Sequence, residues 1–389
     1  MCRGSNEPKF KGIKGKTMKA LVLEKIGKLE YKEIEKPVPQ KGEALVAVKA
    51  CGICGSDIPR AYRDGAHKMP LIIGHEFSGC VEAVGDGVSS AWIGKHVGVF
   101  PLIPCRKCKP CLKRQYEMCR HYDYLGSRSN GGFAEYVTVP EWNLIELPED
   151  VSYEAAAMIE PMAVAVHAMR RSLTGSSGAA YERSESGYGL KIAVCGLGTI
   201  GTFLVMFLID AGYTDILVIG NKEFQRNTMK ELGIPDGNYC DSNKEDAYDF
   251  IMKHTDGVGA DVFFECVGSN EVASLAVEAA APAGRVCFVG NPHSDMKFDK
   301  DVYWKILRNQ LRITGTWNAS FLGNKDYDLS AAFNGEEDDW KYVIKRLAAG
   351  TITPEKLITQ QYDLQEIRRG FELMRDKTED YIKVMALAF

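Results

Sequence analysis

Four cysteines, spaced so that they can close around one metal ion, constrain this chain more than any other feature. Cys105, Cys108 and Cys111 are each separated by two residues, and Cys119 follows after seven more. Four thiolates can complete the tetrahedral shell of a structural zinc ion and leave no position for a substrate. An iron–sulfur cluster, or cysteines that bind no metal, are the alternatives. We predict zinc, because a second group of mixed sulfur, nitrogen and oxygen ligands in the same chain favours that metal.

The second group of candidate ligands combines a thiol, an imidazole and two carboxylates. Cys54 follows a predicted strand, His75 and Glu76 are adjacent, and Glu160 precedes Pro161. A zinc ion that takes part in catalysis has about three protein ligands and one open position. We predict that Cys54, His75 and Glu160 are the ligands and that Glu76 lies beside the metal.

Each of these residues also has a simpler interpretation. Cys54 alone could be a small buried apolar residue, and Cys51 with Cys54 could form half of a structural site. Glu160 could cap a helix that begins at Pro161. We expect that proline to interrupt the helical pattern of Tyr153–Leu173.

A glycine-rich turn indicates a nucleotide site in the second half of the chain. Gly196-Leu-Gly198-Thr199-Ile200-Gly201 lies between a predicted strand (Lys191–Val194) and a predicted helix (Phe203–Ala211). In this context the glycines allow close approach of a pyrophosphate, which the N-terminus of the helix holds. The apolar runs Ala260–Glu265 and Arg285–Val289 predict buried parallel strands. A glycine-rich connection without a ligand is the alternative.

The residues after the next predicted strand, Asp215–Ile219, bear on the choice of cofactor. An acidic side chain there receives the ribose hydroxyls of NAD, but this chain has Gly220 and Asn221, followed by Lys222 and Arg226. Cations at this place suit a 2′-phosphate, so we predict that the protein prefers NADP(H) or accepts both cofactors. The alternative is that both cations belong to a solvated helix start.

Composition excludes several classes of protein. The chain has 389 residues, enough for two domains, and a formal net charge of −4, which favours neither nucleic acid nor an anionic membrane as partner. No apolar run is long enough to span a bilayer. Residues 1–17 are polar and basic, unlike a signal peptide. The twelve cysteines are clustered, and we therefore expect a reducing cytoplasm.

Together these motifs resemble the zinc-dependent medium-chain dehydrogenases, from about Met18 to the C-terminus. The resemblance rests on their order: C-G-I-C-G-S-D, G-H-E-F-S-G, the four-cysteine lobe, G-G-F-A-E-Y, E-P-M-A-V-A-V-H and G-L-G-T-I-G. It implies an α/β protein with a GroES-like β-barrel catalytic domain (residues 18–165 and 312–389) and a Rossmann cofactor domain (166–311) with a doubly wound parallel sheet. Residues 1–17 would form an extension.

Within that family the chain looks most similar to the polyol branch, which contains sorbitol and galactitol-1-phosphate dehydrogenases. Glu160 matches the glutamate of that branch, and the runs Cys54–Arg60, Asp64–His67 and Tyr124–Arg128 are similar to galactitol-1-phosphate 5-dehydrogenases. Pro59 stands where some alcohol dehydrogenases carry a proton-relaying histidine. Gly220, and a Thr174–Gly189 loop that looks longer than usual, also depart from the family pattern.

The resemblance implies roles for further residues. Asp57 would orient His75, and Ser56, with water held by Glu76 or Glu160, would carry the proton. Cofactor contacts would come from the glycine turn and from these residues: Asn221, Lys222, Arg226, Val267, Gly290, Asn291, Thr316, Trp317 and Lys383. The cations that could hold a substrate phosphate are Arg60, His67, Lys68 and Arg128, although each could equally be a solvated surface charge.

The expected function is reversible oxidation of a secondary alcohol of a polyol or polyol phosphate, with two zinc ions per chain and NAD(P). An unphosphorylated polyol or another secondary alcohol as substrate is the alternative, as is a non-catalytic nucleotide-binding descendant of the family. The family implies a homodimer or homotetramer, formed partly by edge strands of the cofactor domain. A zinc-ribbon nucleic-acid module is disfavoured by the acidic charge balance.

Overall fold

The structure is a computed structural model that describes residues 15–173, 189–292, 294–323 and 338–389. Most of the predicted N-terminal extension, and the Thr174–Gly189 loop except for Gly189, lie outside the described residues. The described chain divides into two units. The first contains the residues up to Pro161 and those from Ala319 onward, and the second runs from Met162 to Asn318.

The first unit consists mainly of short antiparallel strands. Its strands are β1 (Thr17–Lys25), β2 (Lys28–Glu35), β3 (Glu43–Gly52), β4 (Leu71–Ile72), β5 (Glu76–Val84), β6 (His96–Val99), β7 (Leu102–Ile103), β8 (Asp123–Tyr124), β9 (Tyr136–Pro140), β10 (Leu144–Glu146), β17 (Ile358–Asp363) and β18 (Lys383–Ala388). Its helices are α1 (Asp57–Tyr62), α2 (Lys109–Leu112), α3 (Tyr153–Ala157), the start of α4 (Ile159–Leu173), α10 (Asp339–Ala348) and α11 (Arg368–Asp376).

Strand β3 is the centre of this unit. The main sheet has the order β10-β6-β5-β3-β18-β17, and β9 also pairs with β3. Strands β2, β1 and β4 form a second sheet, and β7 and β8 a third. Because β3 and β5 are antiparallel, Gly52 at the end of β3 lies opposite Glu76 at the start of β5. The residues just after β3 and just before β5 are thereby brought together.

The second unit contains a six-stranded parallel sheet in the order β13-β12-β11-β14-β15-β16. Its strands are β11 (Ile192–Cys195), β12 (Ile216–Gly220), β13 (Tyr239–Asp241), β14 (Ala260–Glu265), β15 (Ala280–Phe288) and β16 (Arg312–Gly315). Its helices are the rest of α4, α5 (Thr199–Asp210), α6 (Glu223–Glu231), α7 (Ala247–His254), α8 (Asn270–Glu278) and α9 (Lys300–Arg308). The strand order reverses at β11, which has β12 on one side and β14 on the other. In sheets of this kind, ligands bind just beyond the carboxyl ends of the strands at the point of reversal. The predicted α/β class and parallel sheet are confirmed.

The predicted position of the helix break is wrong. Helix α3 ends at Ala157 and α4 begins at Ile159, so the break falls at Met158 and not at Pro161. A proline is tolerated in the first turn because the N–H group that it lacks would have no partner within the helix. Glu160 is therefore the second residue of α4, in its first turn, and does not precede the helix.

Candidate metal and cofactor sites

Three of the predicted metal-site residues converge in the first unit. Donor atoms of Cys54, His75 and Glu76 all lie within 4.8 Å of one another. The pairing of β3 with β5 explains why. Cys54 is two residues past the end of β3, His75 is the residue before β5, and Glu76 is the first residue of β5. A thiol, an imidazole and a carboxylate are the ligand types of a catalytic zinc site with an open position, so the donor set fits zinc.

Asp57 contacts two residues of this group, His75 and Cys54. Its side chain is fully buried, and its Oδ1 atom lies 3.5 Å from His75 Nδ1. The Cys54 amide donates a hydrogen bond to Asp57 Oδ2 at 3.1 Å, and Arg60 donates to Oδ1. Burial alone would raise the pKa of Asp57, but His75, Arg60 and the Cys54 amide outweigh it and lower that pKa. Asp57 is thus an ionised carboxylate that faces the imidazole, which is the arrangement predicted for orienting His75.

Glu160 lies near this group but does not belong to it. Its carboxylate accepts a hydrogen bond of 3.0 Å from the Tyr124 hydroxyl, and the residue is 7% exposed. Burial raises the pKa of Glu160 to about 7, and the charges of His75 and Glu76 act on it in opposite directions. Whether Glu160 or Glu76 is the third ligand therefore stays a prediction.

Glu76 is also paired with a cation. Lys383, at the start of β18, donates from Nζ to Glu76 Oε2 and to the Ile53 carbonyl at 3.1 Å, and both charged side chains are at most 2% exposed. Burial alone would lower the pKa of Lys383, but Glu76, with Cys54 and Glu160, outweighs it and raises that pKa. Lys383 was predicted to contact the cofactor pyrophosphate; in the structure its ammonium group is buried on Glu76.

Sequence reasoning missed two residues of this site. A Cβ atom at Gly52 would overlap the Glu76 carboxylate and lie 2.5 Å from Lys383 Cε, so only glycine leaves room for the buried pair. Tyr124 was noted only as part of a resemblance, although its ring packs edge-on against His75 with the ring centroids 5.7 Å apart. Neither role has a local signature, because each depends on a strand that is distant in sequence.

Ser56 lies next to the thiol of Cys54. Its hydroxyl donates to Cys54 Sγ at 3.3 Å and makes no capping bond to α1, although Ser56 occupies the N-cap position. The Ser56 side chain is therefore not used as a helix cap. The hydroxyl is instead placed where it can exchange a proton with a group bound beside Cys54.

The four cysteines of the lobe also converge. The sulfur atoms of Cys105, Cys108, Cys111 and Cys119 lie within 4.8 Å of one another, and Cys108 Sγ is 3.4 Å from Cys111 Sγ and 3.9 Å from Cys119 Sγ. The backbone amides of Arg120 and Cys111 lower the pKa of Cys108 to about 6. Burial and the neighbouring sulfurs raise the pKa of Cys111 to about 12. Four such groups ionise together only around a cation, and four thiolates fit a closed zinc site.

The four cations predicted for a substrate phosphate are not equivalent. Arg60 is 16% exposed and pairs with Asp57. Arg128 lies over the ring of Tyr122, 4.4 Å from its centroid, and donates to its hydroxyl at 3.4 Å. His67 and Lys68 are exposed on the segment before β4. Arg60 and Arg128 both have partners that contact residues of the metal site: Asp57 faces His75, and the Tyr122 ring packs edge to face on Tyr124.

In the second unit the glycine turn has the geometry of a phosphate site. Gly196 has φ +98°, and a Cβ atom there would lie 2.6 Å from a methyl group of Val267. A Cβ atom at Gly201 would overlap the Gly196 carbonyl, so both glycines are needed for the close packing of α5 on the turn. Gly198 is the exposed N-cap of α5, and Thr199 and Ile200 form its first turn. The start of a helix after such a turn is a general binding place for a phosphate.

A buried carboxylate, which sequence reasoning missed, shapes the loop after β14. Glu265 is 1% exposed and accepts hydrogen bonds of 2.7 Å from the amides of Val267 and Gly268. A Cβ atom at Gly290 would overlap the Gly268 amide, so the loops after β14 and β15 touch. Asn291 and Trp317 are exposed, and the Thr316 hydroxyl is buried without a hydrogen-bond partner among the described residues.

The carboxyl end of β12 has no room for an acidic side chain. A Cβ atom at Gly220 would lie 2.6 Å from the Tyr239 hydroxyl and 2.7 Å from Gln225 Oε1. Arg226 lies over the Tyr239 ring, 4.7 Å from its centroid, and bonds Asp236 at 2.6 Å. Asn221 and Lys222 are exposed. Tyr239 is a further residue at the end of this strand that the sequence did not single out.

Comparison with known families defines the class of protein. Residues 40–149 match the alcohol dehydrogenase GroES-like domain, and residues 199–348 match the zinc-binding dehydrogenase domain. The chain belongs to the zinc-dependent medium-chain alcohol and polyol dehydrogenases. It is therefore an oxidoreductase of a family that uses zinc and NAD(P), which confirms the predicted fold, enzyme class and cofactors.

Individual relatives differ in what they act on. The chain is 30% identical to galactitol 1-phosphate 5-dehydrogenase of Escherichia coli (strain K12), over 88% of this chain and 92% of that protein. It is 31% identical to L-threonine 3-dehydrogenase of Bacillus subtilis (strain 168), over 92% and 95%.

Solved structures with this fold hold both nicotinamide cofactors. A zinc-binding dehydrogenase of Sinorhizobium meliloti 1021 bound to NADP superposes with a TM-score of 0.81 and 25% identity, over 96% of this chain and 99% of that one. An alcohol dehydrogenase of Escherichia coli CFT073 complexed with NADH gives 0.79 and 28%, over 96% and 100%. Among the described residues, no helix is both long and apolar enough to cross a membrane.

Proposed function

We propose that this protein catalyses the reversible oxidation of a secondary alcohol of a polyol or polyol phosphate, with NADP(H) as the preferred cofactor. The observation that carries the proposal is the convergence of Cys54, His75 and Glu76 around a point with Ser56 beside it. We propose these three as the resting zinc ligands, with Glu160 next to them.

Within this site each residue has a task that follows from its contacts. A bound zinc ion would supply Lewis acidity towards the substrate oxygen, and the nicotinamide would supply the hydride acceptor. Asp57 fixes the ring of His75, and the Cys54 amide fixes Asp57. The Ser56 hydroxyl, 3.3 Å from Cys54 Sγ, accepts the alcohol proton and passes it to water.

The substrate phosphate is the finer part of the proposal. It is supported by the similarity to galactitol 1-phosphate 5-dehydrogenase and by Arg128, whose guanidinium lies over Tyr122, the ring that packs on Tyr124. Planar guanidinium groups bind phosphate through two parallel hydrogen bonds. The similarity to L-threonine 3-dehydrogenase makes an amino alcohol the competing substrate.

A substrate panel tests this proposal. Galactitol 1-phosphate, sorbitol 6-phosphate, the two free polyols and L-threonine are assayed with NAD and with NADP. We expect the highest kcat/KM with a polyol phosphate. If L-threonine or a free polyol were at least as good a substrate, the phosphate assignment would be withdrawn.

Arg128→Ala then tests the phosphate contact. It should raise KM for the polyol phosphate by about tenfold, the equivalent of roughly 1.4 kcal/mol, and leave KM for the free polyol unchanged. Arg128 is a better choice than Arg60, because Arg60 bonds Asp57 and its loss would also disturb the metal site. Lys68→Ala, on the exposed segment before β4, is the matched surface control. Equal effects of Arg128→Ala on both substrates would remove the contact from the proposal.

The preference for NADP(H) rests on the carboxyl end of β12. Gly220 cannot be replaced by an acidic residue without displacing Tyr239 or Gln225, and Arg226 supplies a cation on the Tyr239 ring. A 2′-phosphate would meet Arg226 and the exposed Lys222. We expect kcat/KM to be higher for NADP than for NAD, and a strong preference for NAD would contradict this part.

The assembly we propose is a homodimer or homotetramer. Strand β16 pairs only with β15 among the described residues, so one of its edges is open. Tyr303, Trp304 and Leu307 on α9, each more than half exposed, add an apolar surface to the same unit. A second copy of the chain would cover both features. Light scattering that gave the mass of a single chain at micromolar concentration would refute it.

A further inference from the structure

Tyr124 restrains one of the two carboxylates of the metal site, and no motif indicates this contact. Its hydroxyl donates to Glu160 Oε1 at 3.0 Å, while Glu76, the other carboxylate, bonds Lys383. Each carboxylate therefore has its own restraint. Only Glu76 belongs to the group whose donor atoms lie within 4.8 Å of one another.

The direction of the Tyr124 hydroxyl is fixed by its surroundings. The Tyr124 carbonyl accepts hydrogen bonds from the amides of Ser127, Arg128 and Ser129 at 3.1, 2.8 and 3.1 Å. Its ring packs edge-on against His75 on one side and Tyr122 on the other, with centroid separations of 5.7 and 6.1 Å. A ring held by two aromatic neighbours and an anchored backbone has little freedom to turn its hydroxyl away from Glu160.

The hydroxyl has Glu160 as its hydrogen-bond acceptor, at 3.0 Å, and Glu160 is only 7% exposed. A hydrogen bond from a neutral donor to a buried carboxylate is expensive to break, because the carboxylate would then lack a partner. Without the hydroxyl, a metal ion held by Cys54 and His75 would offer Glu160 a new partner.

We propose that Tyr124 is a positioning residue whose hydroxyl keeps the Glu160 carboxylate outside the Cys54–His75–Glu76 group, so that the fourth position of the metal stays open for substrate. This inference rests on the proposed zinc site. Its specific claim is that one hydroxyl group decides whether Glu160 is a ligand at rest.

Tyr124→Phe tests the claim, because it removes the hydroxyl and keeps the ring that packs on His75. The freed Glu160 should join the metal, so zinc release from this site to a chromogenic chelator should slow by about tenfold, within the range that changes around metal ligands produce. In the cobalt-substituted protein the visible bands should shift, because a carboxylate oxygen would occupy the fourth position in place of water. kcat should fall as well, because Glu160 then competes with the substrate.

Three controls make the outcome specific. Tyr122→Phe removes a neighbouring hydroxyl that bonds Arg128 and not Glu160, and it should leave zinc release unchanged. Glu160→Gln alone should also release zinc at the wild-type rate, while the double variant Tyr124→Phe/Glu160→Gln should lose the slow release. Zinc in the four-cysteine site is an internal check on folding, since its release should be the same in every variant.

The proposal is overturned if Tyr124→Phe releases zinc as fast as the wild type or faster. It is also overturned if Glu160→Gln alone accelerates release, because Glu160 would then already be a ligand at rest. Neither measurement uses a substrate. A wild type that oxidised nothing in the panel would end the proposed function and leave this test valid.

Discussion

The buried pair between Lys383 and Glu76 allows the sharpest prediction about stability. Lys383→Met removes the ammonium group and keeps most of the side-chain volume. The two charged side chains are 1% and 2% exposed, so solvent cannot replace the lost partner. Leaving one member of a buried ion pair alone costs about 3–5 kcal/mol. The Ile53 carbonyl loses a donor at the same time, which adds about 1 kcal/mol.

The expected loss in the free energy of unfolding is therefore about 4–6 kcal/mol when no other cation is near Glu76. Urea unfolding measures it, with and without a chelator that removes the accessible zinc. The loss should be smaller with zinc bound, because the ion partly compensates the charge of Glu76. The matched control is Lys19→Met, which breaks the exposed pair with Glu33 (43% and 53% exposed) and should cost less than about 1 kcal/mol.

A double variant separates charge from packing. Adding Glu76→Gln to Lys383→Met removes the uncompensated carboxylate and should recover most of the lost stability. The prediction is refuted if Lys383→Met loses no more stability than the surface control. It is also refuted if the double variant is no more stable than Lys383→Met, because Glu76 would then not depend on the ammonium group for its compensation.

The other predictions concern the metal and cofactor sites. Cys108→Ser removes one thiolate of the four-cysteine site, so native mass spectrometry should find one zinc ion per chain where the wild type has two. Two zinc ions in the variant would show that this site does not need Cys108 to hold its ion. Asp57→Asn keeps the shape of the residue that faces His75 but removes its charge. Zinc affinity, measured by competition with a chelator, should fall by about 10–100-fold. An unchanged affinity would show that Asp57 does not support the site. In steady-state kinetics, Arg226→Ala should raise KM for NADP by about tenfold, or roughly 1.4 kcal/mol, with little change in KM for NAD. Equal effects on the two KM values would refute the 2′-phosphate contact.

The sequence by itself determined the parts of this protein whose chemistry is local. Four cysteines within fifteen residues can reach one ion whatever surrounds them, and their sulfur atoms do converge. The turn from Gly196 to Gly201 needs only a strand before it and a helix after it, and both are present. The order of these motifs was enough to predict the family and both folds.

The helix that carries Glu160 shows where local reasoning failed. A proline after Glu160 suggested that the helix would begin there, but the first turn of a helix accommodates proline, and α4 begins at Ile159. The sequence pattern indicated a helix and a break within the same stretch. It could not locate the break to within the few residues that decide how Glu160 is oriented.

Only the tertiary structure decided which partners the site residues have. Lys383 and Glu76 are 307 positions apart and Tyr124 and Glu160 are 36 apart, yet each pair is joined by a hydrogen bond. Gly52 is required because β3 and β5 bring the Glu76 carboxylate against its backbone. Such contacts arise from strand pairing between distant segments, and a charge buried in this way is stable only if its partner arrives from elsewhere in the fold. For that reason the motifs specify the metal, whereas the fold determines which carboxylate is free to reach it.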